Sequence, residues 1–156
     1  MRAAIERTVV APAVPLSAEL ERALDASFER CRDTDTRYYT PHMLLVLIDL
    51  GDGVVRSCFD RVEPGLAGQI RTEVAHYVAE AYARAAEPFI AFRWRERNDV
   101  RRAQRLAAEA ESPIVTSGLL FAGVLDTESS TQKQLRARLG PPRVDARNPT
   151  VCICRR

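Results

Sequence analysis

Apolar and polar positions alternate along this chain with the three-to-four spacing of helices, and the pattern is set out twice. Leu20, Ala23, Leu24, Ser27, Phe28 and Cys31 mark one face of a first helix, which Ser17 can cap and Glu19 can support in its first turn. Residues 32–37 are polar and break the pattern. Thr40-Pro41 then restarts it, with Thr as a cap and Pro at the first helical position. From Met43 to Ile48 this second helix is apolar nearly all round, so it is expected at the centre of the fold. Gly51-Asp52-Gly53 ends it, with Asp52 as the next cap. Val54, Val55, Cys58, Phe59 and Val62 predict a short amphipathic helix, and Pro64-Gly65 a turn.

A longer helix is expected from Leu66 to Ala86, with Ile70, Val74, Tyr77, Val78 and Ala81 on one face. Phe89 to Arg97 reads as a linker or partial helix. Asn98 or Asp99 caps the next helix, which runs to about Ser112. Thr116 or Ser117 then caps a second apolar helix ending near Leu125. Gln132 to Leu139 predicts a last short helix, stopped by Gly140-Pro141-Pro142. No strand is expected.

Two copies of one unit emerge: a polar helix, a short loop, a hydroxyl residue and a compact apolar helix, once over residues 16–50 and again over 97–126. Such a unit hides its apolar helix against its twin. The expected fold is all-α, with two pseudo-symmetric four-helix repeats over about 16–86 and 97–140. Residues 1–15 form an extended, proline-containing lead-in and residues 141–156 a tail.

Composition agrees with helices. Of 156 residues, 46% are hydrophobic but only 6% aromatic, and seven glycines leave little room for a turn-rich β-fold. The formal net charge of +2 implies no general affinity for polyanions. No apolar run is long enough to span a bilayer and no secretory signal is visible, so a soluble cytoplasmic protein is expected. Cys31 and Cys58 fall among apolar helical residues and are expected as reduced core positions.

The motif residues resemble a known family. Tyr39-Thr40-Pro41-His42-Met43-Leu44-Leu45-Val46-Leu47-Ile48 followed by Gly51-Asp52-Gly53 is similar to the Gly-Thr-Glu-His, Leu-rich helix and acidic turn of the N-terminal domain of Clp unfoldases. Thr116-Ser117-Gly118-Leu119-Leu120-Phe121-Ala122-Gly123-Val124-Leu125 resembles a degenerate second copy. Thr40 and Thr116 lie 76 residues apart, which suits that family's repeat. No Gly-x-x-x-x-Gly-Lys-Ser/Thr loop occurs, so the resemblance is to a free-standing domain or fragment without the ATPase motor.

The resemblance implies a non-enzymatic module that binds a substrate, an adaptor, a degron or a peptide-like ligand, as accessory or decoy of a Clp protease system. It implies no cofactor and no metal. It places ligand-binding residues at the capped turns and helix starts: Ser17, Thr40, Asn98 and Ser117. In one branch of the family the motif Glu anchors phosphorylated arginine. Pro41 stands at that place in the first copy, and Ser117 or Gly118 in the second, so both carboxylates are absent.

Other chemistry is weaker. His42 occupies the family's structural His position, and His76 lies at a helix edge. Glu29, Asp33 and Asp35 read as a solvated loop rather than an acid–base pair. Cys152-x-Cys154 lacks the further ligands of a zinc site. The alternative function is nucleic-acid binding by Arg93, Arg95, Arg97, Arg101, Arg102 and Arg105, with Trp94 stacking a base. Glu96, Asp99 and Glu109 interleave with that stretch and argue against it.

Overall fold

The computed structural model describes residues 12–38, 40–84 and 94–127, residues 133, 135 and 137, and the backbone of 142–145 and 148–154. The chain is mostly helical: α1 is Ala18–Asp33, α2 Thr40–Asp49, α3 Val54–Val62, α4 Leu66–Arg84, α5 Asn98–Glu109 and α6 Ser117–Asp126. The expected lead-in over residues 1–15 and the helix expected over 132–139 lie largely outside the described residues, although Leu135 is buried.

Local chemistry explains most of the helix starts. Ser17 Oγ accepts from Leu20 N at 3.4 Å and caps α1. Thr116 does the same for α6, accepting from Leu119 N at 3.3 Å. Asp52 Oδ1 accepts from Val54 N at 3.0 Å, and Asp60 Oδ1 from Ala67 N at 3.0 Å, satisfying free amides of α3 and α4. Gly53 precedes α3 in the left-handed region, with φ of 67°.

Two starts differ from the sequence reading. Thr40 is the first residue of α2, and its hydroxyl accepts a hydrogen bond from Arg97 across the fold. Arg97 precedes α5 without a side-chain cap, while Asn98 is exposed and Asp99 is buried against Arg97. α5 also stops at Glu109, three residues before the expected Ser112.

α6 is the centre. Every residue from Ser117 to Leu125 is buried. α5 crosses it so closely that a Cβ on Gly123 would lie 2.6 Å from the Asp99 carbonyl oxygen and 2.8 Å from Ala103 N. Phe121 packs on Phe59 of α3 with ring centroids 5.3 Å apart. α2 is less enclosed than its apolar surround predicts. Met43, Leu44, Leu47 and Ile48 are buried, but Leu45 and Val46 are only half-buried.

The C-terminal segment corrects the sequence reading. Residues 142–154 are not a plain tail: β1 (Pro142–Asp145) and β2 (Asn148–Cys154) pair antiparallel, with Arg143 opposite Ile153 and an irregularity after Val144. Thr150 to Ile153 is a β-prone run, and prolines are tolerated at the start of an edge strand. A two-stranded hairpin alone is marginal, and here β2 lies against α3 and α6. The segment before α1 and the one before α6 also join, with Val115 N donating to Pro15 O at 2.7 Å and Ser17 N to Val115 O at 3.0 Å.

The α5–α6 crossing makes a direct prediction. Gly123→Ala should destabilise the protein by about 1–3 kcal/mol in chemical denaturation, because backbone rather than a flexible side chain must move. Gly68→Ala in α4, where the added Cβ meets nothing within 4 Å, should instead be neutral or stabilise by up to about 1 kcal/mol.

Candidate binding site

An open groove of about 440 Å³ runs between α1, α2 and α4. Ala23, Ala26 and Ser27 of α1, Leu45 and Val46 of α2, and Val78 of α4 give it a mainly apolar lining. Arg30 and Tyr82 lie along it, as do His42, Asp49 and Leu50. Leu45 and Val46, half-buried in α2, both line it. The surplus of apolar side chains on that helix, beyond what the core consumes, is the sequence signal for the groove.

Aromatic rings stand in a row at one end. Phe28 meets Tyr38 edge-on at 5.8 Å, Tyr38 lies 5.5 Å from His42, and His42 meets Tyr82 at 5.4 Å. His42 is 1% exposed, which fits the structural role the motif implies. Arg30 lies over the Tyr82 ring, 4.8 Å from its centroid. Cys31 Sγ is 3.7 Å from the Tyr82 hydroxyl. Cys31 and Cys58 are buried and form no disulfide, as their apolar surroundings predict. Asp49 takes Arg71 in a two-pronged contact, Nε at 2.6 Å and Nη2 at 3.0 Å, with Arg56 at 3.7 Å. Asp49 in turn holds the Arg71 guanidinium above its ordinary pKa.

The residues singled out by the motif are placed elsewhere. Thr40 and the start of α5, where Asn98 lies exposed, are linked by Arg97. Its guanidinium donates to Thr40 Oγ1 at 2.7 Å, to the Tyr38 carbonyl at 3.1 Å and to Asp99 Oδ2 at 3.0 Å. Ser17 lies beside Val115, where the segment before α1 meets the one before α6. Ser117 is 2% exposed and donates to Asp52 Oδ2 at 2.5 Å. The groove lining contains none of the four.

The basic stretch is largely consumed inside the protein. Trp94 is 2% exposed and its indole N–H donates to Asp25 Oδ1 at 2.7 Å, so it offers no face for a base. Arg95 lies over that indole and binds Glu21 at 2.5 Å and Asp25 at 3.3 Å. Arg102 pairs with Asp126. Arg93 lies outside the described residues. His76 is exposed on α4 beside Glu80, at 3.3 Å. Glu29 and Asp33 pair with Arg32 on the surface of α1; they are solvated as expected, but they stand on a helix rather than in a loop. Among the described residues no group of three His, Cys, Asp or Glu side chains is placed to hold a metal ion, and no helix is long and apolar enough to cross a membrane.

Set against models of known protein families and against curated proteins, the sequence gives no match.

Arg97 and Asp99 predict a coupled stability effect. Asp99 is 3% exposed, so Arg97→Leu leaves a buried carboxylate without its guanidinium and should cost about 3 kcal/mol. Adding Asp99→Leu should return much of that loss; a double variant as unstable as the sum of the singles would contradict the pairing.

Alkaline pH should weaken the fold through the buried groups of the aromatic end. Burial pushes the Tyr38 hydroxyl above its ordinary value of 10.0, against the opposing effects of Ser27 and Arg97. Burial likewise raises Tyr82, helped by Cys31, and raises Cys31 above 9.0 against Tyr82 and Arg30. Each group keeps its proton to higher pH when folded than when unfolded. The stability this supplies is complete below about pH 9 and drains as pH rises past 9.0 and 10.0. Denaturant midpoints measured from neutral to alkaline pH should be flat and then fall, with Tyr38→Phe flattening the fall.

Proposed function

We propose that this protein is a non-enzymatic peptide-binding module, akin to Clp N-terminal domains, that works in the cytoplasm as accessory or decoy of a Clp protease system. On this reading α1–α4 form one four-helix repeat, and α5, α6 and the residues after them the altered second. The support is the double motif in the sequence. The observation that carries binding is the groove between α1, α2 and α4, where Leu45 and Val46 of an otherwise core helix face an opening. Apolar side chains left at an open concave surface are the usual mark of a recognition site. The motif positions Ser17, Thr40 and Ser117 serve as joints that hold the halves, and Asn98 stays open beside them.

Amide shift mapping with unfolded casein as the probe tests this. Perturbations should centre on Ala23, Arg30, Leu45 and Val46, and Val46→Glu should weaken binding roughly tenfold or more. Shifts confined to other faces would overturn the groove reading. The nucleic-acid alternative retains Arg101 and Arg105, exposed on α5 and without carboxylate partners among the described residues. A random-sequence oligonucleotide at low salt should show no binding; salt-steep binding lost in an Arg101→Ala/Arg105→Ala variant would favour that alternative instead.

A further inference from the structure

The groove has two unlike ends. α1 and α2 run in opposite directions, since a Cβ on Gly51, just past α2, would lie 3.6 Å from Glu19 at the start of α1. Asp49 therefore sits at one end of the groove and Arg30, with His42 and Tyr82, at the other. The charge at the Asp49 end is answered by Arg71 and Arg56. The charge at the Arg30 end is not. Among the described residues Arg30 has no carboxylate partner, and the neighbouring acids Glu29 and Asp33 are turned to Arg32. A guanidinium stacked on a ring keeps its in-plane N–H donors for a planar anion, which it meets with two parallel hydrogen bonds. The rings of His42 and Tyr82, 5.4 Å apart, line this same end.

We propose that the groove holds the C-terminal segment of a protein chain, with a few apolar side chains against Ala23, Leu45, Val46 and Val78 and the terminal carboxylate on the Arg30 guanidinium. This rests on the peptide-binding reading above and names its ligand. The charge fits: an apolar strip leading to a cation that no described carboxylate answers matches an uncharged segment that ends in one anion. The shape fits as well, because the anion that ends a chain suits an end bounded by rings, whereas an acidic residue inside a chain needs room for the backbone to continue. A volume of about 440 Å³ accommodates a short segment rather than a folded partner.

Fluorescence polarisation of the full chain tests the proposal with three probes. These are an N-terminally labelled Gly-Ser-Gly-Ala-Leu-Val with a free C-terminus, the same peptide as its C-terminal amide, and an acid extended by two glycines. The free acid should bind the wild-type protein roughly tenfold to a hundredfold more tightly than the amide, the range expected for charged hydrogen bonds. Arg30→Gln should remove that preference, so that acid and amide bind alike, whereas a preference that survives Arg30→Gln overturns the carboxylate assignment; Val46→Glu should weaken every probe. Equal binding of acid and amide to the wild type, with both weakened by Val46→Glu, overturns the carboxylate assignment and leaves the groove in place. Undiminished binding of the glycine-extended acid overturns the end-of-chain assignment in the same way. Absence of binding by the free acid, or binding indifferent to Val46→Glu, overturns the proposal, and casein mapping then decides whether the groove reading survives it. Arg30 is exposed, and the comparison of acid with amide on the wild type depends on no variant.

Discussion

The structure depends on one constraint: α6 has no solvent face. A helix satisfies its own backbone but hides only one stripe against one neighbour, so a helix with nine consecutive buried residues needs cover on every side. α5 supplies it at the closest range, over Gly123, where Asp99 and Ala103 leave no space for a side chain. α3 brings Phe59 to Phe121, and the backbone of β2 lies against another side. The first half of the chain therefore serves as wall for a helix in the second half.

Much of this was legible from residue pattern. The apolar spacing and Ser17 cap of α1 and the Thr116 cap of α6 are local signals, and local signals survive folding. Arg97 is different. Its partners are Tyr38, Thr40 and Asp99, two of them nearly sixty positions away, so no window of sequence contains the reason for it. The hairpin was hidden for another reason. Gly140-Pro141-Pro142 stops a helix, and two short strands after it are too weak on their own to announce a sheet. Trp94 shows the same limit. In sequence it stands among arginines and looks presented; in space it is folded under against Asp25.

The charges divide in a way that shapes what the surface can do. Arg95, Arg97 and Arg102 are answered by acids of this same chain, so that part of the basic stretch is balanced locally, while Arg101 and Arg105 stay exposed. α2 shows the complementary imbalance in its apolar residues. Its composition suits a fully enclosed helix, yet α1 and α4 cover it only in part. The candidate groove was thus half legible: the surplus of Leu45 and Val46 can be seen in the sequence, but the flank left open is set by how α1 and α4 stand apart.

The indole of Trp94 has a practical consequence. It is the only tryptophan in the chain, and it sits between the acidic face of α1 and the turn leading into α5. Its emission therefore comes from a single site, dry and tied to a carboxylate, at the seam where the later part of the chain rests on the earlier. Parting of that seam wets the ring and breaks its bond to Asp25, while fraying at the hairpin leaves both untouched. The protein carries its own optical gauge for one particular joint, with no label added.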